Sequence, residues 1–522
     1  MNDNQTDADK TAKEIEHVGK LVTSARELRE KYQQDPHRPR YHLIAPEETS
    51  TAFDPQACIF WKGRYHMFYC YLPVEGCVYG HASSADLVHW TFHPKAVGIS
   101  PGDPEKHVYA GGSFVNRDGV PTIMYHGVGA GTCIAMSTDD GLIHWTKHPV
   151  NPVIPIPKEG DPNYLKYHVW DTCGWVDGDF HYSLSGNLPG ALPKTDGDVA
   201  YLFRSRDLVH WEYLHPFYKS DRRWTGAEED CSCPDFFPLG NKHVLMFISH
   251  CRGTQYYIGR YENEKFYPER HGRMNWPGGS CFAQETLVDG RGRRIFWAWV
   301  ADQRTRKAAL LSGWSEVYSV PRVLALAKDG SLQIDPVEEL NVLRYDHRRH
   351  EKVKIAADSE LVLSDVSGDC LELSIEVDLA GAKEFGVKVR CSPNGEEQTL
   401  IVYDPAAKTL KVDTTRSTLS NDVVHPWPLP HIAFFDDSPL RDGRQDVRIQ
   451  EAPFELAKGE PLKLRIFLDR SMLEVFANSR QCVTQRIYPT RSDSMGVALF
   501  SRGGSATVRK LEAWKMCPSN PW

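Results

Sequence analysis

Three stretches decide the fold: SSADLVHWTFHP (83–94), STDDGLIHWTKHP (137–149) and SRDLVHWEYLHP (205–216). Each runs from Ser through an acidic turn and an aliphatic pair to His-Trp, then closes on His-Pro. Their tryptophans, Trp90, Trp145 and Trp211, stand 55 and 66 residues apart. Around them, from Tyr41 to about Asp335, short apolar runs such as CIFWKGRYHMFYCY, PTIMYHGV, HVLMFISH and RIFWAWV are separated by Gly, Pro, Asp and Asn. A strand-rich unit recurring about every 60 residues marks a β-propeller, whose blades carry four strands each. Roughly five units fit into 41–338, which predicts a five-bladed propeller. The repeat itself is read as structural: Trp fills the space between blades, and the Asp turn satisfies backbone amides.

Around 335–345 a charged connection, PVEELNVLRYDHRRHEK, leads into a second β-rich region, 345–522. Leu371, Leu373, Ile375, Val377 and Leu379 alternate as a half-buried strand does, and LKLRIFLDRSMLEVFAN (462–478) continues the pattern. Strands without helical periodicity predict a C-terminal β-sandwich. Asp469 and Glu474 are read there as turn and ladder contacts. The insert HPWPLPHIAFFDDSPLRDGRQD (425–446) is too Pro-rich for a strand and reads as a surface loop. Residues 1–40 form a helical extension. Over 11–34, Ile15, Val18, Leu21, Val22, Ala25 and Leu28 recur at helical spacing, Thr11 and Glu14 fit a capping box, and the helix is expected to dock on the main body. The expected class is all-β with one short N-terminal helix.

The chain has 522 residues, more than one hydrophobic core usually supports. With 61 Lys plus Arg against 69 Asp plus Glu, the net charge of −8 argues against nucleic acid or an anionic membrane as partner. The opening MNDNQTDADKTAKEIEHVGK shows no apolar signal-peptide core, and 13 scattered cysteines fit free thiols, so a cytoplasmic setting is expected. Cys231 and Cys233, with His243 and His250 nearby, lack the ligand spacing of a zinc site. GVGAGTC lacks the Lys-Ser/Thr of a phosphate loop. No metal and no cofactor is expected, and the oligomeric state stays open.

A propeller gathers polar groups from several blades around its axis, so carboxylates just before innermost strands are the candidates for chemistry. Asp54 precedes the first apolar strand, Asp171 the third unit, and Glu228, Glu229 and Asp230 the fourth. Glycoside cleavage uses one carboxylate to attack or to activate water and a second, protonated one to donate to the leaving oxygen. A third that grips sugar hydroxyls favours the cationic transition state. Crowding at 228–230 offers a route to a raised pKa. By spacing alone, each of these acids reads more readily as a surface turn residue.

Longer stretches resemble a known family. HLIAPEETSTAFDPQACIFWKGRYHMFY (42–69), YGHASSADLVHW (79–90), CPDFFPLGNKHVLMFISH (233–250), GWSEVYSVPRVLAL (313–326) and LDRSMLEVFANSRQCVTQRIYP (468–489) occur in the order found in glycoside hydrolase family 32, the β-fructofuranosidase, invertase and fructanase group. The resemblance covers about 41–345 and 355–516. It implies a five-bladed propeller plus β-sandwich and a retaining mechanism, with Asp54 as nucleophile and Asp171 as transition-state stabiliser. It also exposes departures. The glutamate usual before Cys-Pro-Asp is Ser232 here, and a serine cannot supply the proton at neutral pH. That role is therefore expected of Glu229, with Asp230 the alternative. The usual Arg-Asp-Pro reads Trp170-Asp171-Thr172, the amide before the nucleophile is Phe53, and Cys70 takes a usual glutamine site. Gln56, Trp61, Trp170 and Glu285 are the expected substrate contacts.

The expectation is a cofactor-free hydrolase that releases terminal β-D-fructofuranosyl units from sucrose, fructo-oligosaccharides or fructans. Two alternatives stand beside it. One is a fructosyltransferase, or a glycosidase for another furanoside, on the same site. The other is a carbohydrate-binding protein that has lost catalysis.

Overall fold

The repeat builds one tight turn three times. The computed structural model describes residues 5–46, 52–73, 75–188, 190–430 and 440–520. Within it, Asp86 Oδ1 accepts from the backbone N–H of Val88 at 3.0 Å and His89 at 2.8 Å. Asp207 does the same with Val209 and His210, and Asp139 with Gly141, Ile143 and His144. These caps hold Leu87, Leu142 and Leu208 at φ of 66°, 54° and 66°. Side chains other than glycine rarely adopt that region, and here burial of each leucine offsets the strain. The Trp145 and Trp211 indoles donate to the Leu142 and Leu208 carbonyls at 2.8 and 2.9 Å. Trp90 and Trp145 then pack edge-on against Trp297 and Phe68 of neighbouring sheets, with centroids 6.2 and 5.4 Å apart.

Between Ala52 and Pro336 the described residues form five antiparallel sheets of four or five strands, each built from consecutive segments. Their inner strands are Ala52–Trp61, Val108–Val115, Thr172–Asp177, Ser232–Leu239 and Cys281–Val288. Each touches the next and the last returns to the first, so they ring an axis. This is a propeller, which leaves no long exposed sheet edge. Between Arg344 and Met516 two six-stranded sheets form the sandwich. Leu371, Leu373, Ile375 and Val377 all point into its core.

The hairpin Leu462–Asp469/Met472–Ala477 departs from simple alternation because both of its faces are covered. Leu473 and Val475 enter the sandwich core, whereas Phe467 and Phe476 join the apolar cluster of the propeller. Asp469 and Glu474 are accordingly more than turn and ladder contacts. Both are fully buried and grip His42, Asp469 Oδ2 at Nδ1 (3.0 Å) and Glu474 Oε1 at Nε2 (3.2 Å). Arg322 Nη2 pairs with Glu474 Oε2 at 2.8 Å and donates to Thr484 at 2.6 Å.

Two expectations change at the periphery. The N-terminal helix runs Gln5–Gln34, so Thr11 lies well inside it and not at its cap. Only its last turns dock: Tyr32 is buried with Trp314 and donates to the Gly313 carbonyl at 2.6 Å. Ile15, Val18, Leu21 and Val22 stay exposed, because the helix axis leaves the body before reaching them. The Pro-rich insert is not wholly a surface loop. Pro426–Trp427 pairs with Gln445–Asp446, Leu429 is buried against the propeller, and 431–439 lie outside the described residues.

Candidate active site

On the propeller axis lies a cavity of about 190 Å³, lined by Asp54, Asp171 and His250 with Cys70, Tyr109, Trp170, Cys233 and Trp299 among its walls. That is smaller than the roughly 300–1,000 Å³ of drug-sized ligand sites and suits a single sugar ring.

Asp54 reaches the cavity through a β-bulge. Phe53 pairs with Cys70 and Pro55 with Tyr69, so Asp54 is the extra residue, re-aimed off the ladder. Tyr318 pins the bulge by donating to the Phe53 carbonyl at 2.8 Å. Asp54 Oδ1 is buried with no hydrogen-bond partner among the described residues. Burial and the Asp171 charge push the Asp54 carboxyl up to about 7, although His250 acts in the opposite direction. Asp171, just ahead of its strand, is 5% exposed, and its Oδ2 accepts from the Cys233 N–H at 3.1 Å. Burial lifts it to about 6, moderated by His250 and by Cys233.

The wall is set by polar groups behind it. Trp299 Nε1 donates to buried Glu316 at 2.6 Å, which fixes the indole. Trp170 Nε1 donates to Ser232 Oγ at 3.0 Å, and Ser232 Oγ donates to Asp230 Oδ2 at 2.9 Å. Asp230 is itself out of the cavity. Its Oδ1 accepts from the His250 backbone N–H at 2.8 Å and its Oδ2 from His250 Nδ1 at 2.7 Å.

Several expected site residues lie elsewhere. Glu229 does not reach the cavity: Arg273 clamps it with two bonds of 2.8 and 2.9 Å, and Gly226 N–H and Gln255 complete its shell. Burial would raise its pKa, but Arg273 outweighs this and holds it below the ordinary value. A carboxylate clamped in this way is poorly placed to donate a proton, and Glu229 is not among the described residues that line the cavity. Asp230 is fully buried behind His250 and makes no direct approach either. Glu228 points outward to Arg252 at 2.9 Å.

Gln56 ties the first inner strand to the second by accepting from Gly111 N–H at 2.8 Å. Trp61 ends that first strand, beside Lys62, far from the bulge at its start. Glu285 pairs with Trp297 across its sheet, near Cys58 and Asp235, and burial with Asp235 keeps its pKa well up. Of the four expected substrate contacts only Trp170 lines the cavity. The strand period explains this: residues two apart share a face but lie at successive depths. Sequence reasoning missed Trp299, read only within the strand run RIFWAWV, did not single out Tyr109, and considered His250 only as a metal ligand. The signal for His250 was its place at the end of HVLMFISH, where a strand leaves the sheet beside the axis.

Two buried carboxylates from different blades meet in a ring-sized aromatic cavity on a propeller axis, an arrangement that suits chemistry on a sugar. Models of the glycosyl hydrolases family 32 N-terminal domain and of that family's C-terminal domain match residues 44–336 and 339–515. The chain belongs to glycosyl hydrolase family 32. The levanase of Bacillus subtilis (strain 168) is 30% identical to it, over 92% of this chain and 70% of its own. The sucrose-6-phosphate hydrolase of Zymomonas mobilis subsp. mobilis is 27% identical over 90% of each chain. Among solved structures, fructan 1-exohydrolase IIa from Cichorium intybus in complex with 1-kestose has the same fold, with a TM-score of 0.78 at 21% identity over 93% of this chain and 98% of that one.

Proposed function

We propose that this protein is a retaining glycosidase that releases terminal β-D-fructofuranosyl units from sucrose and fructans, with Asp54 as nucleophile and Asp171 as stabiliser. One observation carries the reading: a β-bulge aims Asp54 into the same cavity as Asp171, within a chain matched by both family domains. Asp54 attacks the anomeric carbon as the glycosidic bond breaks, and water then releases the sugar from the covalent ester. Asp171, held by Cys233, accepts from sugar hydroxyls as positive charge develops on the ring. Trp299, Trp170 and Tyr109 supply aromatic faces for its apolar side.

The test is fructose release from sucrose, 1-kestose, inulin and levan by the native enzyme, Asp54→Asn and Asp171→Asn. Release by the native enzyme, abolished by Asp54→Asn and strongly reduced by Asp171→Asn, supports the reading. No release from any of the four, with binding retained, overturns it in favour of a carbohydrate-binding role.

A further inference from the structure

The helix Gln5–Gln34 carries one apolar face past the point where the body supports it. At about 100° per residue, Ile15, Val18, Leu21, Val22, Ala25, Leu28 and Tyr32 fall within a single stripe. Its C-terminal end is covered, because Leu28 and Tyr32 pack with Trp314. Further up, Ile15, Val18, Leu21 and Val22 are 55–68% exposed. The patch continues at the root of the helix. There Lys31 Nζ donates to the Leu311 carbonyl, and Leu310 and Leu311 of the short helix Arg306–Ser312 are exposed. A contiguous exposed apolar patch rimmed by charge marks a contact surface.

Charge and geometry indicate what covers it. Over 5–19 four acids stand against two lysines, a net of −2. Over 20–34 four Lys and Arg stand against two glutamates, a net of +2. Two copies laid antiparallel bring the acidic half of each onto the basic half of the other, and their helix dipoles oppose. Laid parallel, like halves would repel. The helix as a whole is neutral, which gives an anionic membrane little to attract. Leu28 and Tyr32 dock on the stripe side, so each body lies on the side that faces the second helix. A parallel pair would force two bodies into one space. An antiparallel pair sets them at opposite ends of a helix about 45 Å long.

We propose that this face pairs with the same face of a second copy of the chain, antiparallel, about a two-fold axis near residue 20. Ile15 then faces the partner's Ala25, and Val18 faces the partner's Val22. These four fall on the a and d positions of one heptad frame, Ile15 and Val22 at a, Val18 and Ala25 at d. Leu21 meets its own copy across the axis. Gly19 does the same on the other flank, where the space for a side chain is open. Glycine weakens a helix interior relative to alanine; at a crossing point it lets two backbones approach. The contact is isologous and therefore closes at two copies. It is small beside the roughly 1,600 Å² of a standard interface, so pairing is expected at micromolar rather than nanomolar concentration.

The test is sedimentation of the full chain between about 1 and 100 μM, where the mass should rise from one chain to two. Leu21→Glu places like charges together on the axis. It should weaken pairing about 100-fold or more and leave the thermal midpoint unchanged, since Leu21 is exposed on the single chain. Removing residues 1–26 should abolish pairing altogether. A native chain that stays monomeric throughout, including one that instead binds phosphatidylserine vesicles, overturns the proposal. So does a dimer that survives Leu21→Glu or the truncation. Orientation is read by oxidative cross-linking of Leu21→Cys and Ile15→Cys, against native chain treated alike because Cys517 is exposed. Leu21→Cys should join two chains and Ile15→Cys should not; equal or reversed yields overturn the antiparallel arrangement.

Discussion

At the scale of single residues, the site is governed by where burial places charge. Asp54 has its pKa raised to about 7, so the nucleophile is ionised only toward neutral pH. The acid limb of kcat/KM on sucrose should therefore fall near 7, with the rate dropping about tenfold per pH unit below it. The same shift carries a stability sign. A carboxyl whose folded pKa is raised contributes stability below its unfolded value near 4, and this is lost as pH rises through about 7. Asp54→Asn should then raise the thermal midpoint at pH 8 and leave it unchanged at pH 4, a gain on the order of a few kcal/mol. Equal midpoints at both pH values would contradict the burial of that charge. Glu229→Gln tests the residue expected from the sequence to be the proton donor. It should keep kcat on sucrose near native while costing about 1–3 kcal/mol, because Arg273 loses its charged partner.

At the scale of elements, the repeated turns and the bulge do different work. Asp139 accepts from three backbone amides and allows Leu142 to sit buried at φ 54°. Asp139→Ala should cost about 1–2 kcal/mol in chemical denaturation, comparable to loss of a helix cap, with KM unchanged. A change in KM would place the turn nearer the chemistry than its position between outer strands allows. The repeat was legible because one side-chain-to-backbone device recurs in identical residues. The bulge at Asp54 was not, since a bulge is settled by pairing with Tyr69 and Cys70, partners that a linear pattern does not name.

Across the whole molecule, the two halves are joined by a buried polar network. His42, Asp469, Glu474 and Arg322 are all fully or almost fully buried. Burial disfavours the charged His42, yet hydrogen bonds to Asp469 and Glu474 raise its pKa. Burial likewise opposes the two carboxylates, whose pKa values are nonetheless lowered by His42 and Arg322. The histidine contribution is present below about 6.5 and lost as pH rises past its raised folded value; the carboxylate contribution is present above about 4.5 and lost on acidification. Stability should peak between these limits. Glu474→Gln should cost about 3–5 kcal/mol, since it leaves buried cations uncompensated, and a denaturation midpoint equal to native would refute the network's role. Removing residues 1–26 should by contrast leave the midpoint within about 2 °C, because Ile15, Val18, Leu21 and Val22 stay exposed on the helix.

What the sequence determined by itself is whatever local chemistry repeats or alternates. The Ser-Asp-Leu-His-Trp turns, the strand runs around them, the alternation at Leu371–Val377 and the order of the family motifs are all properties of neighbours along the chain. Asp54 and Asp171 were legible there only as candidates, because each directly precedes or opens an inner strand, and the family resemblance singled them out. The tertiary structure alone decided which acids face the axis. Glu229 and Asp230 are adjacent in sequence, yet one is drawn to Arg273, 44 positions away, and the other to His250, 20 positions away. Buried charges must be paired, and the partner that pairs them is chosen by packing between strands, which no local pattern encodes.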